Sequence, residues 1–272
     1  MLSLSNFPVE AISVSGRATC IQFPSLKLAM DMGLCTQSAV NQETVLVTHG
    51  HMDHIAGLAD HAARRGLMHM SPPTYVVGHE LVEPLGELFD AFRRLDKSKL
   101  AHTLVPLGPG EEFLLPKGKG RVVRPFRCYH KVPCQGYGIW NSKKKLKAEY
   151  KGQDIKALKE MGIDVTETIE FPEIAFTGDT LIEVVDREEV LRKAKLLVME
   201  VTFLDDTIPV KEARRRGHIH LDEVVERAEA FENESILITH FSARYKAAEI
   251  QEILNRRLPP VLRDKVTALL PR

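Results

Sequence analysis

The chain has 272 residues with 37 basic and 37 acidic side chains, so its formal net charge is +0. That length suits one large domain over residues 1–272 with a sizeable buried core, and the charge balance excludes a generally basic nucleic-acid binder while allowing a local basic surface. No apolar run is long enough to cross a bilayer, and MLSLSNFPVE lacks the features of a secretory signal. Cys20, Cys35, Cys128 and Cys134 form no CxxC pair, which predicts reduced thiols in a cytoplasmic protein.

In chain order, VEAISVSG, TCIQFP and LKLAMDMG predict a β-rich opening meander, punctuated by Gly and Pro. Residues 55–66 predict a helix ending near Gly66. In 79–96, Leu81, Leu85, Leu88, Phe89, Phe92 and Leu95 form one apolar stripe, which predicts an amphipathic helix with Pro84 in its first turns. Strands are predicted again over 101–128 and through Tyr137 to Trp140. Residues 141–170 are rich in Lys and poor in large apolar side chains, and predict an exposed excursion with helical pieces. Beyond them the pattern alternates: IAFTGDT, KLLVMEV and ILITH as strands, with DREEVLRKA, LDEVVERAEAFE and YKAAEIQEILNRR as helices. A β-rich first half, a β/α second half and no sequence repeat predict two sheets between outer helices.

The chemistry concentrates in HGHMDH, which directly follows the apolar run VLVT. Imidazoles and a carboxylate suit Zn²⁺ or another first-row dication. His49 and His51 alternate, so on extended backbone they face one side and can share an ion. Asp53 and His54 lie past the bend and can reach a second. Three further candidates follow: His130 in a loop-like stretch, and Asp179 and His240 each at the end of an apolar run, where α/β folds gather active sites. Cys128 and Cys134 flank His130 and read mainly as packing residues.

HxHxDH followed by this series resembles the metallo-β-lactamase fold, which implies an αββα sandwich. VMEVTFLDD with Glu200, RGHIHLDE with His218, and HFSARY after His240 narrow the resemblance to the short plant-type tRNase Z (ribonuclease Z) family. It runs from FPVE to the last helix, and CIQFPSLKLAMDMG and HMDHIAGL take part in it. Two stretches depart from the family pattern. SVSGRATC lacks the basic, Asn-ended loop of many members, and 141–170 lacks the Gly-Pro-rich arm tip of common bacterial ones.

The resemblance implies a zinc-dependent endoribonuclease that removes the 3′ trailer of precursor tRNA, leaving a tRNA 3′-hydroxyl and a trailer 5′-phosphate. It also implies a homodimer. Two Zn²⁺ per chain are expected, with Mn²⁺ or Mg²⁺ able to substitute. His49, His51 and His130 would hold one, Asp53, His54 and His240 the other, and Asp179 would bridge them. Asp53 would orient the attacking water and accept its proton. His218, fixed by Glu200, would protonate the leaving oxygen, with His220 as its rival. Arg244, Tyr245 and the lysines Lys143, Lys144, Lys145, Lys147 and Lys151 are candidates for holding RNA, as are Arg214, Arg215 and Arg216 beside His218. Two other readings are a binuclear hydrolase of the same fold acting on a small phosphodiester, thioester or lactone, and a metal-containing RNA-binding protein without turnover.

Overall fold

The computed structural model describes residues 1–271. Its first sheet holds β1 (Leu2–Leu4), β2 (Phe7–Val14), β3 (Ala18–Phe23), β4 (Leu28–Met30), β5 (Thr44–Leu46), β6 (Thr74–Val77) and β7 (Thr103–Pro106), in that spatial order. Its second holds β8 (Phe113–Leu114), β9 (Val122–Arg127), β10 (Gln135–Leu146), β11 (Thr166–Phe176), β12 (Leu196–Glu200), β13 (Ser235–Thr239) and β14 (Val266–Ala268). In each sheet the first three pairings are antiparallel and the last three parallel. The expected contrast between a β-rich first half and a β/α second half therefore gives way to one plan used twice. The cause is the parallel run of β4 to β7, whose crossovers carry helices.

Alternation along the strands builds the layers. In β12, Leu196 and Val198 point into a core shared with Val9, Phe23 and Leu28 of the opposite sheet. Leu197 and Met199 point outward to Val184, Leu191, Ile250 and Leu254. A strand covered on both faces needs apolar residues at every position, which is why it reads as an unbroken hydrophobic run. The outer face of the first sheet is covered in the same way: Tyr75 and Val77 pack with Leu58, Ala62, Leu85 and Phe89. The helices are α1 (Met52–Ile55), α2 (Leu58–Leu67), α3 (Val82–Asp96), α4 (Ile155–Glu160), α5 (Glu183–Arg187), α6 (Glu189–Lys193), α7 (Val210–Arg216), α8 (Leu221–Glu226), α9 (Ala247–Arg257) and α10 (Pro260–Arg263). Outer helices flank both sheets, so the layers run αββα.

Several elements differ from their sequence expectation: DREEVLRKA is split between α5 and α6 at Glu188, and LDEVVERAEAFE is α-helical only over α8, with a 3-10 turn after it. The helix after HGHMDH is broken into α1 and α2 at Gly57, whose N–H donates to Met32 O at 2.8 Å. A Cβ there would meet Cys35 N at 2.6 Å, so only glycine permits this approach. In α3, Leu85 and Phe89 are buried but Leu95 is 80% exposed, so the buried stripe is narrower than the apolar one. Residues 141–170 are mainly a β-hairpin arm rather than helical pieces. There β10 and β11 stay paired from Tyr137/Phe176 to Leu146/Thr166, with a register shift at Ile139/Trp140. Lys-rich backbone becomes strand here because it extends two core strands, and tertiary pairing overrides local propensity. The short helix α4 lies beyond the paired strands, capped by Asp154, which accepts from Lys156 N and Ala157 N.

Candidate metal centre

The ends of β4, β5, β11, β12 and β13 deliver Asp31, His49, Asp179, Glu200 and His240 to one rim. Register explains part of this. Glu200 pairs with Thr239 across β12 and β13, which sets His240 next to the carboxylate's strand end. The loop after β9 adds His130, and the turn into α1 adds His51, Asp53 and His54.

Two donor groups form, with Asp179 between them. His51 Nδ1 lies 3.0 Å from His49 Nε2 and 3.2 Å from His130 Nε2. Asp179 Oδ2 is 3.7 Å from His49 Nε2 and 3.9 Å from His130 Nε2. In the second group, Asp53 Oδ2 is 3.7 Å from His54 Nε2 and 3.4 Å from His240 Nε2. Asp179 reaches this group as well, through Oδ2 to His54 at 3.4 Å and Oδ1 to His240 at 3.4 Å.

These residues fit a metal. A tetrahedral ion with bonds of about 2.0–2.1 Å to imidazole nitrogen separates its ligand atoms by about 3.3 Å. The His49, His51 and His130 nitrogens already stand near that spacing. His54 Nε2 is buried with no hydrogen-bond partner among the described residues. An unpartnered buried nitrogen is costly unless something occupies its lone pair.

The outer nitrogens of four rings are held from behind. His49 Nδ1 meets Thr48 Oγ1 at 3.0 Å, His54 Nδ1 meets Asp31 Oδ2 at 2.7 Å, His130 Nδ1 meets Gly217 O at 2.8 Å, and His240 Nδ1 meets Thr202 Oγ1 at 3.0 Å. Such contacts set the tautomer and the ring orientation. Asp31 also accepts from Thr48 N at 2.8 Å, so one fully buried carboxylate fixes both the strand end and His54. Burial pushes its carboxyl up, and these hydrogen bonds oppose that rise. Burial, aided by the neighbouring His54, drives His49 down to about 2, which keeps the ring neutral and able to ligate. Burial opposes charge on His54 too, but Asp179 and Asp31 outweigh it and raise this ring well above its ordinary value; the same carboxylates that draw a proton to Nε2 would draw a metal cation in its place.

Glu200 and His218 form a second unit beside the donors. His218 Nδ1 lies 2.9 Å from Glu200 Oε1. Glu200 is fully buried and accepts from Thr180 N, Thr202 N, Thr202 Oγ1 and Ile219 N as well. Burial works against charge on His218, but Glu200 prevails and raises it to about 9. His218 also lies within ligand reach of Asp179 and His240, although its Nδ1 is taken by Glu200. The rival His220 has a different place. It is buried, and its Nδ1 accepts from Asp222 N as the cap of α8.

The sequence matches the Beta-lactamase superfamily domain over residues 35–241. It is 46% identical to the Arabidopsis thaliana tRNase Z TRZ1, an alignment covering 98% of this chain and 96% of that one. The chain belongs to the tRNase Z family. The chloroplastic tRNase Z TRZ2 of the same plant is 38% identical over 98% of this chain and 75% of its own length. The crystal structure of human tRNase Z, short form, superposes with a TM-score of 0.57 at 18% identity, covering 97% of this chain and 90% of that one. The fold of the chain is accordingly the metallo-β-lactamase fold.

Several residues expected at a substrate surface are differently engaged. Tyr245 is 7% exposed within the outer core, its hydroxyl donating to Asp205 Oδ1 and accepting from Leu204 N. It braces the loop after β12 instead of facing the rim. Arg214 pairs with Glu183 and Glu223, while the exposed Arg215 and Arg216 share the single carboxylate of Glu212, so each of the three has an acid partner. Arg244 is exposed, with only Ser242 Oγ at 3.3 Å. Lys143, Lys144 and Lys145 are exposed on the arm, whereas Lys147 donates to Asp164 O at 2.7 Å. Cys128 and Cys134 donate to Thr177 O and Asp179 O, which ties the His130 loop to the segment carrying Asp179. Sequence reasoning missed Asp31, Thr48 and Thr202. The one available signal was an acid closing the buried run LAMD.

Proposed function

We propose that the protein is a metal-dependent endoribonuclease that removes the 3′ trailer from precursor tRNA, leaving a 3′-hydroxyl on the tRNA and a 5′-phosphate on the trailer. The observation that carries this is the Glu200–His218 pair, 2.9 Å apart beside seven convergent donors, in a chain 46% identical to a tRNase Z. His49, His51 and His130 would hold one ion and Asp53, His54 and His240 a second, with Asp179 within reach of both groups. Zn²⁺ suits this imidazole-rich set, and Mn²⁺ or Mg²⁺ can substitute. Such ions supply charge neutralisation at the phosphoryl oxygens and acidify water for attack.

The chain's own residues do the rest. Asp53 is steadied by Gly16 N–H, which donates to Oδ2 at 2.7 Å, and accepts the proton of the attacking water. Glu200 fixes the Nδ1–H tautomer of His218. That leaves Nε2 as the nitrogen that delivers a proton to the departing 3′ oxygen. His220, engaged as a helix cap, takes no part. The protein works as a cytoplasmic homodimer; its four cysteines are free, and Leu67 and Leu95, at the ends of α2 and α3, are 81% and 80% exposed. No helix among the described residues is long and apolar enough to cross a membrane.

Cleavage of an end-labelled precursor tRNA, with analysis of both new ends, tests the reading. A cut after the discriminator base with a 3′-hydroxyl is expected. A 2′,3′-cyclic phosphate, or hydrolysis of small esters only, would overturn it.

A further inference from the structure

Most arginines on the second sheet and its outer helices have carboxylate partners. Arg121 pairs with Glu173, Arg124 with Glu112 and Glu170, Arg214 with Glu183 and Glu223, and Arg227 with Asp186. Arg192, Arg256 and Arg263 have none among the described residues, and two further exceptions are Arg127 and Arg187. Both are exposed, and neither has an acid within ion-pair range among the described residues. Both nonetheless stand over one ring: the guanidinium carbons lie 6.0 Å and 5.4 Å from the Tyr129 centroid. Attraction to the ring face holds each cation in place, but it does not neutralise either of them.

The local backbone explains why this ring can serve as a fixed post. At the end of β9, Arg127 is exposed, while Tyr129 is partly buried against the same outer core as Phe126 and Cys128. Tyr129 is bolted at both backbone groups. Its N–H donates to Thr180 Oγ1 at 3.0 Å, and its carbonyl accepts from Leu181 N at 2.9 Å. The next residue is His130. Arg127, Tyr129, His130 and Lys131 line an open cleft of about 680 Å³, with Glu80 as its one acid, while Arg187 stands across Tyr129 in a neighbouring groove that also holds Glu170, Glu188 and Glu189.

We propose that Arg127, Tyr129 and Arg187 form a clamp for the single-stranded trailer, gripping phosphates just beyond the scissile one. This rests on the reading of the protein as a precursor-tRNA endonuclease. Two like charges held together without a counter-ion create a positive focus that an RNA backbone relieves. A site one residue from His130 can meet only nucleotides flanking the cut. On the mature side those nucleotides are stacked on the acceptor helix. On the other side the trailer is free to bend into the cleft.

The test compares precursor tRNAs carrying a one-nucleotide and an eight-nucleotide trailer, with wild type, Arg127→Ala, Arg187→Ala, the double variant and the two Arg→Lys forms. Each Ala variant should raise KM about three- to tenfold on the long trailer and less on the short one, with kcat kept. Each should also lower the slope of log binding constant against log salt by about 0.7, as for one lost single-strand phosphate contact. Arg→Lys should restore the salt slope. Tyr129→Leu should raise KM on the long trailer although every charge remains, because the guanidiniums lose their post. Equal KM changes on both trailers would assign the arginines to the acceptor stem and overturn the clamp. So would unchanged KM with an unchanged salt slope, the mark of a solvated cluster, or a fall in kcat matched by a lower melting temperature. Failure of the wild type to cut either precursor would instead sink the endonuclease reading.

Discussion

The metal centre and the hairpin arm occupy the same chain but obey different rules. In the centre, His49, His54, Asp179 and His240 are at most 2% exposed, and the first, second and fourth of these are braced from behind through Nδ1. In the arm, Lys143, Lys144 and Lys145 stand in solvent on a two-stranded ribbon. The difference suits the two kinds of work proposed for them. Bond making needs donors fixed within tenths of an ångström, whereas holding a polyanion needs charge at roughly the right place. Substitutions in the centre should therefore act on metal content and kcat, and substitutions in the arm on KM and salt dependence.

The largest effect is expected at the carboxylates. Asp53→Ala removes a donor and the proton acceptor together, and should reduce precursor-tRNA cleavage to the limit of detection. Metal analysis of wild type should return about two ions per chain, as a binuclear mechanism requires. The variant should return fewer. Full metal content in His240→Ala would break the two-ion assignment.

Next comes His218→Ala, which should slow turnover roughly 100- to 10,000-fold, as loss of a general acid does, with metal content unchanged. His220→Ala should act in the opposite manner. It removes the cap of α8, costs about 1 kcal/mol of stability and lowers the melting temperature while turnover persists. A damaging His220→Ala with a mild His218→Ala would reverse the assignment.

A smaller effect is expected one layer further out. Asp31 touches no substrate, but it orients His54 at 2.7 Å. Asp31→Asn should weaken metal affinity about 10- to 100-fold, measured by competition with a chromogenic chelator. Unaltered affinity would make Asp31 a purely structural residue.

These ranks bear on what the sequence reveals. The metal donors are legible because chemistry dictates residue type, and strand ends dictate place: HGHMDH after VLVT leaves few other readings. Asp31 is harder to read because its role depends on Gly57 and Gly33 letting the α1 turn press against the 31–35 loop. A Cβ at Gly33 would overlap Asp53 O at 1.8 Å. Tyr245 misleads for a related reason. Its position after His240 suggests the rim, but the backbone turns there and its hydroxyl is drawn to Leu204 N at 3.0 Å. Arg214, Arg215 and Arg216 look like an RNA contact until their acids Glu183, Glu212 and Glu223 come from other turns or other helices. The arm's lysines are visible in the sequence, but its strand form is not, because pairing between segments separated by the 147–165 stretch decides it.

The smallest effect belongs to the arm, and its geometry makes the prediction specific. Replacing Lys143, Lys144, Lys145 and Lys147 with Ala should raise KM for precursor tRNA and flatten the salt dependence, with kcat retained. The four lysines are not equivalent. Along β10, Lys143 and Lys145 share one face and Lys144 takes the other. Lys143 Nζ lies 5.2 Å from the Phe171 centroid, and Lys195 Nζ lies 5.1 Å from the same ring, so that face gathers three lysines. Lys147 is already spent on Asp164 O. A duplex RNA can rest against only one side of a two-stranded ribbon. The pair Lys143→Ala and Lys145→Ala should therefore account for most of the effect, each lost duplex phosphate contact lowering the salt slope by about 0.9. Lys144→Ala and Lys147→Ala should each change KM by less than about twofold, within the spread of exposed charges. A larger effect from Lys144→Ala would place the RNA on the opposite face. A parallel loss of kcat and of hydrolysis of a small aryl phosphodiester would mean that the ribbon supports the centre it grows from, and the division between the two regions would fail.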